Sequence, residues 1–413
     1  MRILHFADAH IDIDTRGRHD PDSGLPLRVL DFLKSLDTIV DTAIQERVDL
    51  VLFAGDAYKD RSPAPTYQRE WGRRIIRLSQ AGIPILLLVG NHDLSPTTGR
   101  AHTLQEYDTL QVPHVFVAAK PALLGPDQLG GLPLQIITLP WIFRSGLMGS
   151  LELTGLKREE IFSQIEARLT ELLQGWMEQA DPALPLILAA HASIQGAKLG
   201  AERTIMLGQD LMLPGALVRN PRLNYTALGH IHKAQDLNEG LQPPVIYPGS
   251  IERVDFGEAE DDKFFVIAHV EVGQPTRVEW RKLDGRRFID RHITVTSGEL
   301  LMAEISAVLP PTDDLHEAIF RLTVAYDRNW ESMLDETALR NACSAAFDFH
   351  LIRRPQVESR LRLPQDQTIS SLTPQDLLGI YWNTLNMNTE EAQTLNQLAG
   401  EIIRSVHHVA DNN

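Results

Sequence analysis

Five short apolar runs in the first two-thirds of the chain each end in side chains able to bind a metal ion. "RILHFADAH" closes on Asp8 and His10, "DLVLFAGD" on Asp56, "IPILLLVGNHD" on Asn91 and His92, "LPLILAAHAS" on His191, and "YTALGHIH" on His230 and His232. Taken singly, each has an ordinary explanation: an aspartate caps a helix, an asparagine shapes a turn, a buried histidine hydrogen-bonds in a core. Taken together, they sit where open α/β sheets gather ligands, at the carboxyl ends of strands. His230 and His232 are also spaced i and i+2, which puts both rings on one side of an extended backbone. Carboxylate, amide and imidazole ligands without thiolate suit Mn²⁺, Fe²⁺ or Zn²⁺ in a catalytic setting rather than a structural zinc clamp. One carboxylate can bridge two such ions about 3.5–4 Å apart, and the pair then binds phosphate oxygens and activates water for in-line attack on phosphorus.

Bringing five strand ends to one place requires sheets. The apolar runs are too continuous for strands with one wet face, so they predict sheets covered by helices, with helix-like stretches at Arg28–Arg47 and Tyr67–Ala81 to do the covering. The character changes after "KFFVIAHVEV" (263–272). "GQPT" (273–276) reads as a linker, followed by the basic stretch "EWRKLDGRRFIDRH". Beyond it, "AIFRLTVAY" reads as a strand, "WESMLDETALRNACSAAF" as a helix and "DFHLIRR" as a strand, a small α/β module. From about Ser371 two helices are expected. Thr373 caps the first, with Pro374 at its first position and Asp376 three residues on. Asn388 and Glu391 open the second, whose Leu395, Leu398, Ile402 and Val406 keep one apolar face. The expected domains are therefore 1–272, 277–365 and 371–413.

The 413 residues, 43% hydrophobic and 23% charged, are enough for two or three domains with real cores. A single cysteine, Cys343, allows no intrachain disulfide. With no signal-peptide-like opening and no apolar run of membrane-spanning length, it leads to the expectation of a cytoplasmic protein without a membrane association. A formal net charge of −16 excludes a uniformly basic coat for nucleic acid. It leaves room for a nucleic-acid enzyme, because bound cations and local basic patches reverse the field where it matters.

In order, "DAH", "GD", "GNHD", the isolated His191 and "GHIH" resemble the five motifs of the calcineurin-like metallophosphoesterases. "GHIHKAQ" and "YPGSIERVDFGE" (247–258) more narrowly resemble the SbcD family of DNA exonucleases, bacterial counterparts of the Mre-type repair nucleases. The resemblance implies an α/β fold with a two-sheet β-sandwich flanked by helices, a small α/β capping domain that binds DNA, and a C-terminal helical hairpin. It implies two divalent metal ions, with Mn²⁺ expected. Asp8, His10 and His232 hold one, Asn91, His191 and His230 the other, and Asp56 bridges them. His92 then contacts the scissile phosphate and protonates the departing 3′ oxygen. An SbcC-type ATPase is the implied partner, docked on the C-terminal helices, with a homodimer of this chain forming a heterotetramer.

Arg253 is expected near the site. Arg281, Lys282, Arg286 and Arg287 are candidate contacts to DNA phosphates, and equally a solvated charged face. One departure stands out: where the family commonly has Asp or His three residues after the bridging aspartate, to orient the general acid, "GDAYKD" has Lys59, with Asp60 beside it. Either Asp60 takes that place or His92 is held differently. A smaller-substrate phosphodiesterase and a non-catalytic DNA-end-binding protein are the competing readings. The complete ligand set speaks against the second, and the extra module and helices against a minimal phosphatase.

Overall fold

Strands β1 (Arg2–Phe6), β2 (Leu50–Phe53) and β3 (Ile85–Leu88) are buried on both faces, and alternate residues serve different cores. In β2, Val51 and Phe53 pack with Phe32, Leu36, Trp71 and Ile75 of helices α1 (Leu27–Glu46) and α2 (Pro65–Gln80). Leu50 and Leu52 instead face a second sheet, meeting Ile136, Ile187, Tyr225 and Ala227. This two-sided burial is why the runs read as continuous rather than alternating. The computed structural model describes residues 1–13, 17–95, 100–142, 158–198, 200, 212–356, 372–384 and 388–410.

The first compact unit comprises Met1–Ile289 with Glu317–Ile319. Its first sheet continues with β4 (Val115–Ala118) and the second begins with β5 (Ala122–Leu124), β6 (Gln135–Leu139) and β7 (Leu186–His191). A two-stranded pair, β8 (Ser193–Ile194) and β9 (Met212–Leu213), precedes β10 (Tyr225–Gly229), β11 (Gln235–Asp236) and β12 (Val245–Tyr247). Strands β13 (Lys263–His269) and β14 (Arg277–Leu283) return to the first sheet. The two six-stranded orders are β14-β13-β1-β2-β3-β4 and β11-β12-β10-β7-β6-β5. β1 to β4 are parallel in one and β6, β7, β10 and β12 in the other. The helix Arg158–Gln179 covers the second sheet with Ile165, Leu169, Leu173 and Met177. The layers are helix, sheet, sheet, helix, as expected of a sandwich flanked by helices.

The expected boundary between 272 and 277 is corrected. β14 pairs antiparallel with β13 from Lys263↔Leu283 to His269↔Arg277, so 273–276 is a hairpin turn, with Gly273 at φ 75°. The unit runs on to Ile289. All but the first residues of two strands of the sheet β15 (Phe288–Thr294), β16 (Ile319–Asp327), β17 (Asp348–Gln356) lie in the second unit, with Phe320, Leu322, Val324 and Tyr326 buried. The single helix expected between these last two strands is two pieces. Residues Arg328–Met333 form a 3₁₀ turn, and Asp335 accepts the Ala338 N–H at 2.9 Å to start a new helix, Glu336–Ala342.

At the C-terminus, helices Pro374–Thr384 and Thr389–Ala410 pack on each other. Thr373 and Asp376 cap the first reciprocally, the Thr373 N–H donating to the carboxylate at 2.9 Å and the Asp376 N–H to the Thr373 hydroxyl at 3.2 Å. The expected boundaries at 365 and 371 lie outside the described residues. Among the described residues no helix is long and apolar enough to cross a membrane.

Candidate metal centre

The turns after β1, β2 and β10 all leave the strand through left-handed backbone. Asp8 has φ 51°, His10 38°, Asp56 66° and His230 97°. Such conformations cost a side-chain-bearing residue on the order of 1–3 kcal/mol and persist where the surroundings over-determine them. Here the Asp8 N–H donates to Gly55 O at 2.9 Å, Ala9 N–H to Asp56 O at 2.8 Å, and His230 N–H to the two Asp8 oxygens at 3.1 and 3.0 Å. His230 and His232 therefore do not share a strand face as their spacing predicts. The chain turns at His230 and sends the two rings to different clusters. Glycine is required where the turns meet: a Cβ on Gly55, at φ 100°, would strike the His191 ring, and one on Gly90 would strike the Asp56 carboxylate.

Two groups of ligand atoms result, Asp8, His10, His232 and Asp56, His191, His230, with the atoms in each within 4.8 Å of one another. Asn91 joins the second, its Oδ1 lying 3.0 Å from both His191 Nε2 and His230 Nδ1. Asp56 Oδ2 spans the two groups, 3.4 Å from His191 Nε2 and 3.7 Å from His10 Nε2. The seven residues named as ligands from the sequence are thus all brought together.

The donor set fits cations. His10 Nδ1 faces Tyr58 O at 3.2 Å and His232 Nδ1 faces Glu258 Oε1 at 2.7 Å, so each ring carries its proton on Nδ1. Their Nε2 atoms then turn lone pairs toward each other at 3.1 Å in a buried space. A metal ion resolves that repulsion, and the acceptors behind each ring are the usual means of fixing a ligand's tautomer. His191 is held likewise, Nδ1 facing Ala54 O at 2.6 Å.

The charges agree. Burial pushes the Asp8 carboxyl up to about 7, and burial with the nearby Asp56 charge pushes Asp93 up to about 6. Asp56 is buried too, but His191, His92 and His10 hold it well below the usual carboxylate range. Burial opposes charge on His191, yet Asp56 and Asp8 raise it to about 9. Burial holds His10 well below the ordinary imidazole range. Three carboxyl groups in one dry pit favour a bound cation.

Several supports were not singled out in the sequence. Asp93 anchors the turns by accepting from Asp56 N, Ala57 N and Gly90 N at 2.9–3.0 Å. Glu258, 1% exposed, ties His232 to the buried ammonium of Lys263 at 2.6 Å. Despite burial, its hydrogen bond to His232 and the charge of Lys263 hold its carboxyl well below the usual range. Glu258 closes the stretch "YPGSIERVDFGE", and that position was the one signal that could have found it. Trp141, whose ring centroid is 4.7 Å from that of His230, gave none.

His92 stands over the centre, its N–H donating to Asp56 Oδ1 at 2.8 Å and its ring 5.1 Å from that of His10. Its Nδ1 faces the backbone carbonyl of Lys59 at 2.8 Å. The Asp60 carboxylate is turned to Ser62 N at 2.9 Å. Of the two alternatives raised by Lys59, His92 is therefore held differently, by a main-chain atom.

The basic candidates are mostly engaged. Arg253 reaches Ala259 O at 3.3 Å and Arg286 O at 3.2 Å, stitching loops together. Arg286, 13% exposed, forms a two-pronged pair with Asp31 at 2.6 and 2.8 Å and meets Glu317 at 2.8 Å. Arg281 pairs with Glu279 at 2.9 Å and Glu46 at 3.2 Å, and Lys282 with Asp262 at 2.7 Å. Arg287 contributes its carbonyl to Ile319 N at 2.9 Å. None of these contacts is to the side chains of the two ligand-atom groups.

Residues 1–234 match the family described as calcineurin-like phosphoesterase. The chain is 28% identical over 287 residues to the SbcD component of the SbcCD nuclease of Escherichia coli, covering 68% of this chain and 67% of that protein. It is 24% identical over 259 residues to the DNA double-strand break repair protein Mre11 of Archaeoglobus fulgidus, covering 63% and 52%. Among solved structures, a dimetal phosphatase from Danio rerio overlaps 68% of this chain and 96% of its own at 12% identity, with a TM-score of 0.40.

Proposed function

Since this chain belongs to the calcineurin-like phosphoesterase family, we propose that it is a DNA nuclease. It would act at DNA ends as a double-strand exonuclease and single-strand endonuclease, in repair and recombination. The observation that carries the chemistry is the pair of facing imidazole nitrogens, His10 Nε2 and His232 Nε2, at 3.1 Å beside the shared Asp56 carboxylate. The similarity to the SbcD component of the SbcCD nuclease and to Mre11 supports DNA as substrate.

In this reading Asp8, His10 and His232 hold one divalent ion, Asn91, His191 and His230 hold a second, and Asp56 serves both. Mn²⁺ is the expected metal. The ions would supply Lewis acidity toward the phosphate and activation of the attacking water. The chain's own part is proton handling and placement. His92 presents Nε2 toward the departing 3′ oxygen, its Nδ1–H satisfied by the Lys59 carbonyl, and gives up a proton as the P–O bond breaks. Asp93 and Glu258 keep the ligands in register from behind. The module from Asp290 onward would serve as the DNA-binding cap. The helices Pro374–Thr384 and Thr389–Ala410, with Leu398 and Ile402 exposed, would dock an SbcC-type ATPase in a heterotetramer built on a homodimer of this chain.

The test is Mn²⁺-dependent cleavage of linear duplex DNA beside a generic phosphodiester. Cleavage of both supports the reading. Hydrolysis of the small ester alone would assign a smaller substrate, and no hydrolysis of either would leave a non-catalytic end-binding protein.

A further inference from the structure

Asp12 lies two residues past His10, 6% exposed, and belongs to neither group of metal-binding atoms. Its Oδ1 accepts the Lys59 N–H at 2.5 Å and its Oδ2 the Asp60 N–H at 3.4 Å. In a trans peptide the N–H and the C=O of one unit point in opposite directions. The unit that donates Lys59 N–H to Asp12 is the one whose carbonyl, on Tyr58, faces His10 Nδ1 at 3.2 Å. The unit that donates Asp60 N–H is the one whose carbonyl, on Lys59, faces His92 Nδ1 at 2.8 Å. One carboxylate therefore grips two consecutive peptide planes by their N–H ends and aims both carbonyls into the centre.

We infer that Asp12 is the positioning residue for His92, holding the general acid through the Lys59–Asp60 peptide rather than through any side chain at position 59 or 60. Two physical effects follow from the geometry. The clamp fixes where the carbonyl oxygen lies, and hence the ring angle at which Nε2 meets the leaving oxygen. A carboxylate on the N–H side also polarises the peptide and makes its carbonyl a better acceptor for a ring that becomes positively charged before it gives its proton away. The Asp60 side chain, turned to Ser62, takes no part.

The inference rests on the phosphodiesterase reading above, and its test separates the two. The full-length protein with Mn²⁺ is assayed on a p-nitrophenyl phosphodiester, whose leaving group departs without a proton, and on linear duplex DNA, whose alkoxide needs one. Metal stoichiometry is read by calorimetry. Asp12→Ala should slow DNA cleavage by about 10²-fold, toward the loss expected of a missing general acid. Because the same clamp also sets the Tyr58 carbonyl behind His10, Mn²⁺ affinity should fall in Asp12→Ala, so the assays are run at saturating Mn²⁺; there p-nitrophenyl ester hydrolysis should change by less than about threefold and the metal stoichiometry should be kept. Asp12→Ala should add nothing to His92→Ala on DNA. Asp12→Asn, which preserves size and one acceptor, should fall between wild type and Asp12→Ala on DNA alone, and serves if the alanine variant does not fold. Equal losses on both substrates, additivity with His92→Ala, or lost metal would overturn the inference and leave Asp12 a loop anchor. If wild-type protein hydrolyses neither substrate, the phosphodiesterase reading itself fails.

Discussion

Replacing Glu258 should separate metal binding from folding, because one buried carboxylate serves both. Glu258 accepts from His232 Nδ1 at 2.7 Å, Lys263 Nζ at 2.6 Å, Val254 N at 3.0 Å and Ser250 Oγ at 3.2 Å. Glu258 and Lys263 are each 1% exposed. Glu258→Ala would strand the ammonium with Ser250 Oγ at 2.8 Å and His232 O at 3.4 Å, and removing one member of a buried pair costs about 3–5 kcal/mol. Glu258→Gln keeps an acceptor for His232 but loses the charge that makes the ring a stronger ligand. Altering such a partner typically weakens metal affinity about 10–100-fold, or about 1.4–2.7 kcal/mol.

The double variant Glu258→Gln, Lys263→Met removes both charges. It should recover most of the lost stability while leaving the affinity loss in place. Mn²⁺ titration calorimetry and thermal unfolding of the metal-free protein read the two effects apart. The Glu258 carboxyl is depressed in the folded state, so its stabilisation is present above the ordinary carboxylate pKa and lost as pH falls through the folded value. The stability gap between wild type and Glu258→Gln should accordingly narrow in acid. Wild-type Mn²⁺ affinity in Glu258→Gln would refute the claim that this carboxylate tunes His232 as a ligand.

Asp56→Ala should remove both ions and all activity, since its Oδ2 lies between the two groups; two Mn²⁺ still bound per chain by anomalous scattering would contradict this. Arg286→Ala should cost stability, about 3 kcal/mol for a largely buried pair, and leave the salt dependence of DNA binding unchanged, whereas Arg281→Ala with Lys282→Ala should reduce the log–log salt slope by up to about 0.9 per contact if these surface cations touch phosphates. His5, buried against Tyr225 at 2.9 Å, has a pKa lowered from 6.5 to about 3 by burial. Between those values the unfolded chain binds a proton that the folded chain refuses, so metal-free stability should fall as pH drops below 6.5, at up to about 1.4 kcal/mol per pH unit, and His5→Phe combined with Tyr225→Phe should flatten that slope in denaturant titrations.

The centre was legible because side-chain type and strand-end position coincide. Asp8, Asp56, Asn91, His191 and His232 each follow or end an apolar run buried on both faces, and parallel strands in packed sheets deliver such ends to one rim. β14 was not legible for a physical reason. As the edge of its sheet it exposes much of "RVEWRKL" and buries only Leu283 fully, and charged edge strands are how sheets avoid pairing with strangers. A basic strand of that kind reads as a linker with a patch, and Arg286 reads as a free cation until Asp31, 255 residues away in sequence, is seen to hold it. The hold on His92 was hidden more deeply. Pattern reading compares side chains, and at position 59 it met a lysine where an acid or a histidine was expected. The acceptor there is a carbonyl oxygen, an atom every residue carries. What selects it is an aspartate 47 residues earlier, gripping the N–H groups on the far side of the same peptides. A motif can lose a side chain and keep its chemistry when the backbone takes over the contact, and the compensating residue then appears at no spacing the motif would suggest.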